Sequence, residues 1–484
     1  MAARTAARTV VPTAAPMGVR TAVPMVVPAA RAWPMAAPTP RATMAGPTVA
    51  LTVALMAGPR RRRPLQATAL SMTATEPRRV TVQQHGHPAL ARLVACPPEE
   101  FAQRYWGAEP LLSRAGDLPA AFSDLFSNAA VDELVSERGL RTPFLRMAKD
   151  GSTLAERSFT SGGGTGAGIA DQLSDDRLLR LFADGATMVL QGLHRTWQPV
   201  IAFSQDLAAD LGHPVQVNAY VTPAQNTGFS DHYDVHDVFV LQIEGEKRWR
   251  IRRPVHPRPL RDQPWTDRRG AVQQAAGREP LIETTLQPGD CLYLPRGYLH
   301  SATALGGVST HLTIGIHPWT RRHLADELVR VALDRASEDA AVRQSLALGV
   351  DASDPSAWAA DLELARAAVL RAVGEVDASD LAASLTRRVR DAQRAGPVRP
   401  LAQVSAAQDL TPDQRLTLRP HLAARLRTVT DGYAVLESRA GDVRIAEADL
   451  ERVRHLLDLG DVAVTELGDT LARHLLLQGI VVAR

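Results

Sequence analysis

Residues 228–251, GFSDHYDVHDVFVLQIEGEKRWRI, are the stretch around which the chain is organised. The pattern predicts a strand, a turn and a return strand, with His232 and Asp234 on the first strand and Lys247 on the second. Because successive side chains of a strand point to opposite faces, His232 and Asp234 share one face. An imidazole and a carboxylate side by side are two thirds of the facial triad that holds non-haem Fe(II).

The third ligand has to come from elsewhere, and His300 in LQPGDCLYLPRGYLH (286–300) is the candidate. His236 lies on the same predicted face, but alternate strand residues are roughly 6.6 Å apart and next-alternates roughly 13 Å. One ion bound about 2.1 Å from each ligand atom is not easily shared by His232 and His236. We therefore choose His232 and Asp234, leaving His236 to line the pocket or face solvent.

Lys247 is the second unusual residue, because only two of the 55 basic side chains are lysines, Lys149 and Lys247. A compact ammonium on a flexible stem differs from a planar guanidinium. Lys247 lies where a single cation can meet a carboxylate, although a surface lysine is the plainer interpretation. Zinc hydrolysis with the same three ligands needs a general base and leaves Lys247 without a role.

Composition places the chain among soluble globular proteins. With 484 residues, 45% apolar and 22% charged, it is long enough for two or three domains. We expect no membrane span, because no run approaches the roughly 18–20 apolar residues that a span requires. Two cysteines, Cys96 and Cys291, make no disulfide framework and suit a reducing cytoplasm.

Charge is divided unevenly along the chain. Residues 1–75 hold nine arginines and no acid, whereas residues 76–484 hold 46 basic and 52 acidic side chains. The globular part is thus mildly acidic, and we expect no direct contact with nucleic acid. The composition of residues 1–75 predicts a disordered Ala/Pro/Arg-rich tail. A second interpretation is that the start site is assigned too early and that Met72 is the true start. An organellar transit peptide is a further interpretation.

The remaining chain shows three regions. Residues 76–319 combine short helices with β-rich runs that predict a jelly roll. Within this region, residues 161–168 are rich in glycine. They lack the preceding strand and following helix of a phosphate loop, so we predict a plain loop. Residues 320–398 switch to helical periodicity, with Leu324, Leu328, Val331 and Arg335 on one face. Residues 399–484 resemble a winged helix whose second helix is not basic.

Taken together, three segments resemble the JmjC-type cupins called ribosomal oxygenases. They are NAYVTPAQNTGFSDHYDVHDVFVLQIEGEKRW (218–249), LQPGDCLYLPRGYLHSA (286–302) and STHLTIGI (309–316). The resemblance is clear over about residues 95–320 and extends more loosely to a helical dimerisation region and a C-terminal winged-helix-like domain. It implies an α+β fold with a double-stranded β-helix core, and a homodimer.

Family resemblance also implies roles for individual residues. His232, Asp234 and His300 would bind Fe(II), and Lys247 would pair with the distal carboxylate of 2-oxoglutarate. Asn218 and Thr313 would face the 2-oxoglutarate site, and Tyr220 would face the substrate.

The implied activity is hydroxylation of a protein side chain with Fe(II), 2-oxoglutarate and O2. By resemblance the partner is a ribosomal protein, modified at Arg or His, and the location is cytoplasmic. Two alternatives stay open. One is a small-molecule or peptide hydroxylase with the same chemistry, and the other is a non-catalytic metal-binding cupin with a regulatory role.

Overall fold

The computed structural model of the chain describes residues 87–149, 151–226, 230–428 and 432–483. The predicted tail, residues 1–75, lies outside the described residues. The chain divides into two units, Met1–Pro77 and Arg78–Arg484, and all described residues belong to the second. Within this described part, no helix is long and apolar enough to cross a membrane.

A mixed helical and β segment precedes the main strands. Its elements are α1 (Pro88–Ala91), α2 (Pro98–Glu100), β1 (Leu111–Ser113), α3 (Asn128–Ser136), β2 (Leu145–Lys149), β3 (Ser152–Thr153), β4 (Thr160–Ser161), β5 (Gln172–Leu173) and α4 (Asp175–Ala183). The Ser127 side chain caps α3 by accepting a hydrogen bond from the Ala130 amide. Of the predicted loop at residues 161–168, Ser161 belongs to β4 and the remainder lies in the loop between β4 and β5.

The central elements build one large antiparallel sheet. They are β6 (Thr187–Leu190), α5 (Leu193–Thr196), α6 (Gln198–Leu211), β7 (Val215–Thr222), β8 (Asp237–Arg252), α7 (Arg269–Ala276), β9 (Ile282–Leu286), β10 (Cys291–Leu294) and β11 (Leu299–Ile316). The strand order is β1-β10-β8-β11-β7-β6-β2-β3, with β9 beside β8. In β7, Val215, Val217 and Ala219 are buried and alternate with less buried positions, as expected for a strand with one core face.

Strand β8 corrects one expectation from the sequence. It runs without interruption over Asp237–Arg252, where we predicted two strands joined by a turn. Its first half pairs with the second half of β11, and its second half pairs with the first half of β11. The two longest strands therefore pair along nearly their whole lengths in the interior of the sheet.

A β-bulge interrupts this long pairing and changes which side chains face inward. The register of β11 against β8 shifts between Leu305 and Thr310. Opposite this shift, Gly245 adopts a φ of +64°. Before Gly245 the even-numbered Val240 faces the central cavity, and after it the odd-numbered Lys247 faces the same cavity. The bulge thus reverses the alternation of β8 and points Lys247 inward.

Three helices follow the sheet: α8 (Arg321–Ala336), α9 (Ala359–Glu375) and α10 (Ala378–Asp391). Small residues pack α8 against α9, namely Ala332 and Ala336 on α8 with Ala368 and Ala372 on α9. The leucine stripe predicted for this region is not the buried one, because Leu324 is 49% exposed. Small residues give close helix packing here and leave larger apolar side chains outside.

A second core closes the described chain. Its elements are α11 (Pro400–Gln408), β12 (Arg415–Leu418), β13 (Arg425–Thr428), β14 (Tyr433–Ser438), β15 (Gly441–Ala446), α12 (Leu450–Leu459), β16 (Asp461–Ala463), α13 (Val464–Leu467), α14 (Asp469–Leu477) and β17 (Val481–Ala483). They form two three-stranded sheets, β16-β12-β17 and β13-β14-β15. Leu456 and Leu475, on α12 and α14, are fully buried in this core.

Candidate metal and cofactor site

Three side chains predicted as ligands come together. His232, Asp234 and His300 each offer one ligand atom, and these atoms all lie within 4.8 Å of one another. Nε2 of His300 is 3.9 Å from Oδ2 of Asp234, and the two imidazole centroids are 4.4 Å apart. Two imidazoles and one carboxylate at this spacing are the donor set of a 2-His-1-carboxylate metal site.

Backbone carbonyls select the ligating nitrogen of both histidines. Nδ1 of His232 lies 2.8 Å from the carbonyl oxygen of Ser230, and Nδ1 of His300 lies 3.1 Å from that of Tyr298. Because a carbonyl oxygen only accepts, each Nδ1 carries the proton of its hydrogen bond. Nε2 then carries the lone pair of each ring, and this is the atom that a metal ligand has to offer.

The ligand-bearing segment corrects the expectation of a regular strand. Residues 230–236 lie in a loop before β8, and His232 takes part only in an isolated bridge with His300. The His232 amide donates to the His300 carbonyl at 3.2 Å, and the His300 amide donates back at 2.8 Å. The loop is further held where the Gly297 amide donates to the Asp234 carbonyl at 3.0 Å. The two histidines thus meet through the backbone as well as at their rings.

The electrostatic environment keeps the side chains of the site in the protonation states that bind a metal. Burial alone would raise the pKa of Asp234, but the neighbouring imidazoles of His236, His300 and His232, together with Arg146, hold it below its usual value. Burial, aided by His232, lowers the pKa of His300 to about 4. At neutral pH the site therefore presents an ionised carboxylate and a neutral imidazole, which are the metal-binding forms.

His236 lies outside the ligand cluster and does not line the cavity, which was one of the two positions expected for it. Its ring stacks on His317 with centroids 5.4 Å apart. The ring also lies against the backbone at Gly315, where an added Cβ would come within 2.5 Å of it. Among the described residues, the group able to hold a metal consists of His232, Asp234 and His300, without His236.

Lys247 is buried in the same cavity. It is 3% exposed, and its Nζ donates a 3.0 Å hydrogen bond to Oγ1 of Thr222. Burial lowers the pKa of Lys247 to about 7. Among the described residues, no carboxylate forms an ion pair with it, whereas Lys149 pairs with Asp184 at the surface at 2.7 Å. A buried ammonium is stabilised when it forms a charge-assisted hydrogen bond with a carboxylate.

The cavity has a volume of about 260 Å³ and contains the metal-site residues and Lys247 together. Its other lining side chains are Arg146, Thr187, Tyr220, Val238, Val240, Trp249, Trp265, Ser301, Ala302, His311 and Thr313. Tyr220 and Thr313 are thus both on the cavity wall. Asn218 does not line the cavity; its Oδ1 accepts a 3.1 Å hydrogen bond from the Gly192 amide, and its backbone pairs with Thr313.

Sequence reasoning missed several residues of the cavity wall, among them His311 and Arg146. His311 is 3% exposed and stacks on Tyr220, with ring centroids 5.0 Å apart. The side chain of Arg146, on β2, hydrogen-bonds to Tyr220, and its positive charge helps to lower the pKa of Asp234. His311 was detectable by its two-residue spacing from Thr313. Arg146 was not, because its strand joins the sheet from more than eighty residues upstream of Asp234.

Comparison with known proteins identifies a JmjC domain over residues 196–324. The chain is 31% identical over 254 residues to "Ribosomal oxygenase 1" of Gallus gallus, covering 51% of this chain and 40% of that protein. It is 26% identical over 222 residues to "Bifunctional lysine-specific demethylase and histidyl-hydroxylase NO66" of Aedes aegypti, covering 46% and 33% respectively. The chain thus spans less than half the length of these relatives.

Among solved structures, the Escherichia coli ribosomal oxygenase YcfD matches 81% of this chain and 99% of its own, at 16% identity and a TM-score of 0.48. Similarity at that level does not assign a function. The domain match and the curated relatives confirm the resemblance drawn from the motifs. The chain has the cupin fold of JmjC domains, with a large antiparallel sheet accompanied by helices.

Proposed function

We propose that this chain, which carries a JmjC domain similar to that of the ribosomal oxygenases, is an Fe(II)- and 2-oxoglutarate-dependent oxygenase that hydroxylates a protein side chain. The observation that carries the proposal is Lys247, a buried lysine without a carboxylate partner among the described residues, in the same cavity as the three-ligand cluster. A metal site alone fits many chemistries. A metal site beside a buried cation that has no carboxylate partner among the described residues fits a 2-oxo acid co-substrate.

The residues present fit Fe(II). His232 and His300 offer Nε2 and Asp234 offers a carboxylate oxygen, which leaves other coordination positions open for exogenous ligands. Bound iron, with 2-oxoglutarate and O2, would supply the oxidation that inserts one oxygen atom into a C–H bond and yields succinate and CO2. The protein's own contribution is binding, orientation and exclusion of water.

Lys247 would hold the distal carboxylate of 2-oxoglutarate by a charge-assisted hydrogen bond. Thr222, fully buried, already accepts a hydrogen bond from Nζ and fixes the direction of the ammonium. Thr313, on the cavity wall, would add a hydroxyl. We keep Asn218 as a supporting residue, since its backbone pairs with Thr313 and its side chain anchors Gly192. Val238 and Val240 give the cavity an apolar wall that keeps water from the reacting atoms.

Tyr220 would contact the substrate side chain. Its ring is held between the stacked imidazole of His311 and the hydrogen bond from Arg146. Burial is the main cause that raises the pKa of Tyr220, so the phenol keeps its proton and donates a hydrogen bond at neutral pH. A fixed donor at the cavity wall suits a substrate group that accepts.

Charge in the cavity favours histidine over arginine as the modified residue. The described lining contains the cations Arg146 and Lys247 and one carboxylate, Asp234, which belongs to the metal site. A guanidinium carries only donors and would meet like charge, whereas a neutral imidazole accepts a hydrogen bond. The names of the similar proteins support a ribosomal protein as the partner and, for the mosquito protein, histidine as the target.

A direct test measures succinate formed by the anaerobically purified protein with Fe(II) and 2-oxoglutarate once O2 and ribosomal proteins are added. We expect His232→Ala and Lys247→Ala to abolish it, and Lys149→Ala, the matched control at the surface lysine, to leave it unchanged. Mass spectrometry should then locate a mass increase of one oxygen atom on a histidine of a ribosomal protein. Succinate formation without any modified ribosomal protein would favour a small-molecule or peptide hydroxylase.

Failure to form succinate despite metal binding would favour the regulatory, non-catalytic cupin. Lys247→Arg is a graded variant, because it keeps the charge but changes the shape of the donor. We expect it to raise the 2-oxoglutarate concentration needed for half-maximal rate. An unchanged requirement would remove Lys247 from the cofactor site.

We further propose residues 76–319 as the catalytic domain, 320–398 as a helical dimerisation region and 399–484 as a winged-helix-like domain. Support for dimerisation comes from large apolar side chains left outside on the helices, with Leu333 on α8 47% exposed and Leu370 on α9 65% exposed. Such side chains on neighbouring helices are typical of a protein interface. Light scattering of a Leu333→Glu variant, expected to be monomeric beside a dimeric wild type, tests this.

A further inference from the structure

We propose that Asp231 is a positioning residue that holds His232 and His300 at metal-binding distance. The inference rests on the proposed metal site. It adds to that site a carboxylate that lies outside the His-x-Asp motif and binds no metal itself.

The need for such a residue follows from the local backbone. His232 lies in a loop, and its only β-type pairing is the isolated bridge to His300. Two backbone hydrogen bonds, of 3.2 and 2.8 Å, are all that this bridge supplies. In a regular strand, neighbouring ladder bonds would share this task. Here, contacts made by the residues next to His232 add to the restraint of the bridge.

Asp231 supplies it through one oxygen atom. Its Oδ1 accepts a 2.7 Å hydrogen bond from the Arg252 guanidinium at the end of β8 and a 3.2 Å hydrogen bond from Oγ of Ser301. Asp231 directly precedes His232, and Ser301 directly follows His300. The carboxylate therefore joins the neighbours of two metal ligands and ties both to the rim of the sheet.

The partners of Asp231 are themselves held in place by burial and by further hydrogen bonds. The side chains of Arg252 and Asp231 are 11% and 24% exposed, so the ion pair is partly shielded from water and stronger than a surface pair. Arg252 is itself fixed, because its Nε donates a 2.9 Å hydrogen bond to the Arg278 carbonyl. Ser301 also lines the cavity, so the bonded hydroxyl lies at the edge of the site. These contacts restrain the spacing of the imidazoles without occupying a coordination position.

The test measures Co(II) binding to the full-length protein, since Co(II) takes nitrogen and oxygen ligands and its visible absorption reports coordination geometry. Asp231→Ala should weaken Co(II) binding about 10–100-fold, the usual effect of losing a partner that orients a ligand, and should change the spectrum of the bound ion. Ser301→Ala, a smaller change, should weaken binding less and shift the spectrum in the same direction. Asp231→Asn, which keeps an oxygen acceptor, should fall between Asp231→Ala and wild type.

Glu283→Gln is the matched control. Glu283 on β9 pairs with Arg250 at 3.0 Å, so this variant removes a carboxylate–arginine pair from the same sheet without touching either ligand histidine. It should bind Co(II) as the wild type does. If wild-type protein binds no Co(II), the proposed metal site fails. If wild type, Asp231→Ala and Ser301→Ala share one affinity and one spectrum, the metal site stands and the positioning role is overturned.

Discussion

Gly245 lies directly beneath the carbonyl group of Val308, so closely that an added Cβ would be 2.1 Å from the Val308 oxygen. Its φ of +64° is also a conformation that side-chain-bearing residues rarely adopt. This contact holds β8 against the bulge of β11, and the bulge sets the face from which Lys247 projects. A backbone contact thus determines whether Lys247 reaches the cavity.

Gly245→Ala should therefore damage stability and cofactor binding together. We expect a loss of about 1–3 kcal/mol in the free energy of unfolding, from strain and from the contact with backbone. Weaker 2-oxoglutarate binding should accompany it, as Lys247 loses its register. Gly307→Ala, at a glycine of the same bulge with open space around its Cα, should be nearly neutral. Urea unfolding and titration calorimetry measure the two effects; equal behaviour of both variants would contradict this account.

Binding of 2-oxoglutarate should weaken as pH rises above neutrality. Burial lowers the pKa of Lys247 to about 7, so its charged fraction falls as pH rises through that value. The co-substrate keeps its negative charges over this range, and its binding favours the charged ammonium. The dissociation constant should therefore increase from pH 6 to 9, by up to about tenfold per pH unit above 7. In Lys247→Arg, which stays charged throughout, affinity should be lower but flat with pH.

Lys247→Met should stabilise the protein while abolishing cofactor binding. Because the pKa of Lys247 is lower in the folded than in the unfolded state, the cost of burying its charge is fully present below pH 7. That cost shrinks as pH rises toward the unfolded value of about 10.4. We expect about 1–4 kcal/mol of added stability at pH 7 without ligand, and a smaller gain at pH 9. Denaturant unfolding at both pH values is the measurement, and a destabilised variant at pH 7 would refute the assignment.

His236→Ala should retain metal, whereas His232→Ala should lose it. His236 packs on His317 and the backbone of Gly315, away from the ligand cluster. Removing it opens a small gap without removing a ligand. His232→Ala deletes one of three donors and should weaken Co(II) binding by at least about a hundredfold, beyond the effect of losing a supporting contact. Comparable losses in both variants would mean that the ligand pair was chosen wrongly.

Several features of the site were predictable because they depend on short-range pattern. The two-residue spacing of His232 and Asp234 gave two candidate ligands, and His300 followed a recognisable Pro-Gly-Asp strand. The scarcity of lysine pointed to Lys247, because the chain has only two lysines. The argument from strand alternation selected His232 and Asp234, and these two side chains lie together with His300 although their segment is a loop.

Other features of the fold and the site could not be predicted from the local sequence pattern. Where we predicted a turn between two strands, β8 continues past a bulge, because β11 supplies pairing partners on both sides of it. Arg146 enters the cavity from β2, an element that alternation in β8 or β11 does not reveal. Asn218 does not line the cavity as expected, because its side chain accepts a hydrogen bond from the Gly192 amide. Each case was decided by a partner distant in the chain.

The amino-acid sequence by itself determined the chemical inventory of this protein: two imidazoles, a carboxylate and a rare lysine, on segments with strand-forming patterns. Tertiary structure alone decided how they meet. Contact between Gly245 and Val308 reverses the alternation of β8, and the bridge between His232 and His300 draws two ligands together across 68 residues. The physical reason is that side-chain direction depends on backbone register, and register is set by whichever strand pairs alongside.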